Sequence, residues 1–118
     1  CAEFCNHTHH YGVDGGALDF VQTQAHVGNR YGCAAQIIDG TVPNQYGTWV
    51  FGRGGWCPGL DVKPWRADLT QAAPAGEHTL RYEGRLDQMS YVPEPRAGDG
   101  FGARIDQLSA VVTWAAKP

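Results

Sequence analysis

The chain has 118 residues, enough for one domain and too few for two of ordinary size. Its hydrophobic fraction of 42% and charged fraction of 18% suit a folded core and exclude wholesale disorder. A net charge of −3 with scattered Lys and Arg excludes the basic stripe that nucleic-acid phosphates require. No apolar run approaches the roughly 20 residues of a membrane helix, so neither nucleic acid nor membrane is expected as a partner. Sixteen Gly and seven Pro interrupt every segment and leave little room for long helices.

In chain order, Thr8 to Asp14 runs into Asp14-Gly15-Gly16, a hairpin signal. Ala17 to Gln24 alternates as a half-buried strand, and Ala34 to Ile38 reads as a short apolar strand ending at Asp39-Gly40. Between Tyr46 and Gly59, Gly52-Arg53-Gly54-Gly55-Trp56-Cys57-Pro58-Gly59 predicts a tight loop with accessible backbone. His78 to Gly84 places Leu80 and Tyr82 on one face and Arg81 and Glu83 on the other. Asp87 to Val92 and Ile105 to Trp114 complete the predicted strands, the last with Leu108, Ala110, Val112 and Trp114 on one face. Strands at this spacing predict an all-β, antiparallel sandwich in a single domain over 1–118.

The sequence begins at Cys1 with neither an initiator Met nor a leader pattern, so it is read as a processed product or a piece of a longer polypeptide. Cys1, Cys5, Cys33 and Cys57 fit two disulfides in an oxidising compartment, either secreted or periplasmic. Zinc knuckles want C-x2-C, and this sequence offers C-x3-C and two isolated cysteines. Three pairings are open; Cys1–Cys5 with Cys33–Cys57 is the most local. A Cys1–Cys5 bond would pin Glu3 and Phe4 on a rigid turn, which can serve chemistry or merely staple a surface loop. Arg53 offers a planar fork of donors for a carboxylate or carbonyl oxygen, with Trp56 beside it and glycines that let a substrate approach. The competing reading is an ordinary exposed loop arginine. On a strand, His7 and His9 share a face as in a copper or zinc site, but a metal needs a third ligand. His26 and His78 lie in no ligand motif, so no metal or cofactor is expected.

Taken together, Cys1-Ala2-Glu3-Phe4-Cys5, Thr8-His9, Gly32-Cys33, Gly47-Thr48-Trp49 and Arg53-Gly54-Gly55-Trp56-Cys57-Pro58-Gly59 resemble, in order and spacing, the C-terminal part of the peptide:N-glycosidase F family. The resemblance is strongest over the first 60 residues. It implies a jelly-roll sandwich completed by strands from elsewhere in the parent protein, disulfides Cys1–Cys5 and Cys33–Cys57, and no cofactor. It also implies an active site shared between two domains: Glu3 and Arg53 as catalytic residues here, and a central aspartate from an N-terminal domain or chain. Phe4, Trp56 and His7 are the candidate substrate-binding residues; the family's best-known member has Trp at the first of these and Arg at the last. The implied reaction is hydrolysis of the amide between the innermost N-acetylglucosamine and asparagine in glycoproteins or glycopeptides. Two other readings stay open: a non-catalytic carbohydrate-binding module using Phe4 and Trp56 as platforms, and a copper-dependent monooxygenase-like domain.

Overall fold

The computed structural model describes residues 4, 6–24, 26–86, 89–90 and 108–114. These form an all-β arrangement of strands, turns and 3-10 segments, with no α-helix among them. The strands are β1 (His7–Val13), β2 (Phe20–Thr23), β3 (Leu80–Leu86) and β4 (Met89–Ser90). They make one antiparallel sheet in the order β2-β1-β3-β4. Strand β1 is inside the sheet because two later segments pair with its two edges, β2 on one side and β3 on the other. The Asp14-Gly15 turn returns β2 beside it, with Tyr11 opposite Phe20. Strand β3 arrives after the long excursion over 24–79 and pairs along all of β1, from His7–Leu86 to Val13–Leu80.

Period-two alternation puts His7, His9 and Tyr11 on one face of β1 and Thr8 and His10 on the other. All four residues His7–His10 are buried. On the second face, Thr8 Oγ1 bonds His10 Nε2 at 2.7 Å, and Glu83, opposite His10, accepts from Arg85 Nε at 2.7 Å. The sheet centre is therefore a satisfied polar row rather than an aliphatic layer. The buried hydrophobic residues among those described are Cys33 and Cys57, the disulfide itself.

The excursion between β2 and β3 is organised by that bond, which joins residues 24 apart in sequence with Cα atoms 5.5 Å apart. Around it, Cys33 N–H donates to Val50 O, Gly52 N–H to Asn29 O, and Val42 N–H to Pro58 O, at 2.9–3.1 Å. These bonds lace three loop passes together where no sheet ladder is available.

Three expectations need correction. Ala34–Asp39 is a 3-10 segment, not a strand. Its apolar run lacks alternation, Ile38 is 95% exposed, and the turn bonds Ala35 N–Tyr31 O and Gln36 N–Cys33 O claim the backbone groups a neighbouring strand would need. Gly40, at φ 114°, ends it by donating to Gln36 O and Ile37 O. Residues 108–114 carry no strand, and Leu108, Val112 and Trp114 are exposed rather than packed on a common face. The third concerns strand extents: β2 starts at Phe20 rather than Ala17, and β3 spans 80–86 rather than 78–84. Only Met89–Ser90 of the strand expected over 87–92, and only 108–114 of that over 105–114, lie among the described residues.

Candidate functional site

The loop that follows the second 3-10 segment (Gln45–Val50) holds the densest constellation of polar and aromatic groups. Arg53 is only 2% exposed, so it is not an ordinary surface arginine. Its Nη1 donates to Phe51 O at 3.1 Å and its Nη2 to Thr48 Oγ1 at 2.9 Å. The guanidinium carbon lies 4.8 Å from the Phe4 ring centroid and 4.9 Å from that of Trp56. Two aromatic rings at that distance offer their negative faces to a cation removed from water. Phe4 also meets Phe51 edge to face, with centroids 5.5 Å apart.

Glycines make the close packing possible. Gly52 could carry no side chain, because a Cβ there would overlap the His26 carbonyl. A Cβ on Gly54 would sit 2.5 Å from Cε1 and Nε2 of His7. The imidazole of His7 therefore lies directly on the backbone of the arginine loop. From there a hydrogen-bond chain runs along the sheet: His7 Nδ1 is 3.0 Å from His9 Nε2, and His9 Nδ1 is 2.8 Å from the Tyr82 hydroxyl.

Desolvation holds His7 below the ordinary histidine range. It does the same to His9, reinforced by His7 and His10, and to His10, where Arg85 adds to the effect and Glu83 opposes it. The imidazoles are thus uncharged at neutral pH, so His7 does not replace a permanent positive charge. Since His7 and His9 bond each other, their facing nitrogens do not converge on a common ligand position. Among the described residues no group of three His, Cys, Asp or Glu is arranged to hold a metal ion.

The residues proposed from sequence thus fall into one cluster: Arg53, Phe4, Trp56 and His7 come together, with Cys33–Cys57 closing the loop beside them. Glu3, Cys1 and Cys5 lie outside the described residues. A shallow depression lined by Pro43, Asn44, Tyr46, Gly47 and Trp49 sits on the second 3-10 segment and does not include Arg53. Sequence reasoning assigned no site role to Thr48 or Tyr82. Thr48 lies in the Gly47-Thr48-Trp49 stretch that carries the resemblance, which could have marked it, while Tyr82 reads as one member of an alternating strand.

The sequence profile of the family described as "Peptide-N-glycosidase F, C terminal" matches residues 1–109. The chain belongs to that family. It is also 34% identical over 103 residues to the peptide-N(4)-(N-acetyl-beta-D-glucosaminyl)asparagine amidase F of Elizabethkingia miricola, a match covering 87% of this chain and 26% of the relative. The chain thus spans about a quarter of the length of that amidase. No solved structure matches it significantly. Among the described residues, no helix of this peptide-N-glycosidase F family member is long and apolar enough to cross a membrane.

Proposed function

We propose that this chain forms part of the active site of an N-glycan-releasing amidase. Water would add to the side-chain amide of a glycosylated asparagine and the C–N bond would break. That leaves aspartate in the peptide and a glycosylamine that later sheds ammonia. The observation that supports this reading best is the buried Arg53, fastened to Thr48 and Phe51 and flanked by Phe4 and Trp56, in a chain of this family.

Glu3 is the carboxylate assigned to hold water or the scissile amide by hydrogen bonds, and Arg53 the group that orients carboxylates as charge develops. The burial of Arg53 favours that orienting role over direct capture of substrate. Phe4 and Trp56 offer apolar faces to sugar rings. A preceding domain would supply the central aspartate and the strands that complete a jelly roll. Disulfide use fits a secreted or periplasmic protein, and Cys1–Cys5 would rigidify the Glu3 turn. The reaction so written needs no metal or organic cofactor.

The test is mass spectrometry of a glycopeptide incubated with the complete polypeptide. Aspartate at the former glycan site is expected. Asparagine retaining one sugar residue, or no release, would overturn the reading. An Arg53→Lys enzyme is expected to lose about 2–4 kcal/mol of transition-state stabilisation, because an ammonium cannot reproduce the planar fork. Full activity in that variant would remove Arg53 from the machinery.

A further inference from the structure

We infer that Tyr82 and His9 are positioning residues for the arginine loop, acting through His7. The assignment rests on the reading of that loop as part of an amidase site. It starts from two positions where a side chain is missing. His9 stands opposite Gly84 and Tyr11 opposite Tyr82, so Tyr82 is the diagonal neighbour of His9 on the same face. A Cβ on Gly84 would lie 3.1 Å from the Tyr82 hydroxyl. That empty position lets the phenol lean across it to reach His9 Nδ1 at 2.8 Å. At the other end, Gly54 leaves room for the ring of His7. Two glycines on separate strands and loops thus bracket one continuous chain of polar atoms.

The direction of the chain follows from donor strength. A phenol is a good donor and a weak acceptor, whereas a neutral imidazole nitrogen accepts well. Tyr82 therefore donates to His9 Nδ1, which leaves the His9 proton on Nε2. That proton is donated to His7 Nδ1, so the remaining proton of His7 sits on Nε2, the atom against Gly54. Reversing the chain would turn the Nε2 of His7 from donor to acceptor at the loop. One hydroxyl about a strand's width away thus fixes the tautomer of the imidazole that the arginine loop rests on.

The far end is braced mechanically. Tyr82 packs against Tyr11 with ring centroids 5.3 Å apart, and Tyr11 in turn stacks on Trp65 at the same distance with ring planes 16° apart. His9 and Tyr82 rings are nearly parallel, at 18°. Among the described residues, the hydrogen bond from His9 to His7, whose ring lies against Gly54, links this row to the arginine loop.

The experiment uses the complete polypeptide with 15N-labelled histidine, read by long-range proton–nitrogen correlation and by glycopeptide kinetics. In the parent enzyme His7 should show a single tautomer protonated on Nε2. Tyr82→Phe keeps the ring and its stacking and removes only the hydroxyl. It should mix the His7 tautomers and lower kcat about tenfold, less than the ~10²-fold of a catalytic group misplaced by ~1 Å, with KM and melting temperature nearly unchanged. His9→Gln, whose amide can accept from Tyr82 and donate to His7, should recover most of what His9→Leu loses. A Tyr82→Phe enzyme with wild-type kcat and an unaltered His7 tautomer would overturn the inference, as would His9→Gln behaving like His9→Leu. An inactive parent enzyme would instead overturn the amidase reading, while the tautomer measurement would still decide whether Tyr82 governs His7.

Discussion

The ring of His7 occupies the space that a side chain on Gly54 would fill, with the virtual Cβ only 2.5 Å from the imidazole. Strand β1 and the arginine loop are therefore in backbone-to-ring contact, with no adjustable side chain between them. Gly54→Ala forces the ring to turn, and turning breaks the bond to His9. The expected cost is about 1–3 kcal/mol, the range for an inserted methyl in a packed site. Urea denaturation measures it; an unchanged midpoint would mean that the loop yields instead of the ring.

Thr48 fixes the arginine from the other side. Thr48→Val preserves shape and removes the oxygen that Arg53 Nη2 reaches at 2.9 Å. A hydrogen bond to a charged group contributes about 1.5–3 kcal/mol. We expect a stability loss in that range, together with reduced turnover, because the guanidinium is then held by fewer contacts. Thr48→Ser should behave like the parent. If Thr48→Ser and Thr48→Val are equally impaired, the hydroxyl is not the fixing group.

The Cys33–Cys57 bond closes a loop with a sequence separation of 24 that contains both 3-10 segments and Arg53. Chain entropy alone assigns it about 3.5 kcal/mol. With so little aliphatic burial around it, the region otherwise rests on the laced backbone bonds and the contacts of Arg53. Replacing both cysteines by Ser should lower the denaturant midpoint accordingly and expose the Trp56 region to protease. A protease-resistant double variant with the parent's midpoint would show that the laced backbone bonds suffice.

Glu3 carries the chemical part of the proposal. Glu3→Gln keeps size and hydrogen-bonding capacity while removing the charge and adding donors. Glycan release should fall on the order of 10²-fold or more, with thermal stability nearly unchanged. Parent-like release by this variant would return Glu3 to the role of a residue on a stapled turn.

Arg53, Trp56 and Cys57 were legible because they sit within five positions of one short, glycine-marked motif, whereas the partner of Cys33 was open among three pairings until the resemblance and then the structure gave Cys57. Strand β1 was legible from the Asp14-Gly15-Gly16 turn that ends it, and β3 from alternation. Ala34–Asp39 was not, since its four apolar or small residues, Ala34, Ala35, Ile37 and Ile38, look alike in a strand and in a 3-10 segment. The Tyr82–His9 contact was hidden for a different reason. It depends on β1 and β3 meeting in one register across 73 positions of sequence, and on Gly84 being empty opposite His9. No local pattern encodes register between distant strands.

A clasp at the opposite end of the sheet sets the pH response. His78 Nδ1 is 2.7 Å from Asp14 Oδ2 and its Nε2 is 2.7 Å from the Pro74 carbonyl. Both partners are acceptors, so the ring carries both protons. The bond to Asp14, then that to Pro74, raises the His78 pKa, and the bond to His78, then the Thr79 N–H, lowers that of Asp14. A raised histidine contributes stability that is complete below its unfolded value and disappears as pH rises through the folded one. The lowered carboxylate contributes above its unfolded value and is lost as pH falls through its folded one. The clasp therefore acts in the mildly acidic window between them. The buried His7 and His9 have the opposite sign: their lowered values make the unfolded chain take up protons first, so stability falls on acidification. His78→Asn removes the compensating contribution. Its stability should fall below the parent's at about pH 5, where the imidazole is charged in both states, and the deficit should shrink toward about pH 9 as the pH rises through the raised folded value. Urea midpoints at the two pH values decide the matter. A deficit equal at both would reduce the clasp to a neutral hydrogen bond, and a deficit larger at the alkaline value would reverse the sign assigned to His78.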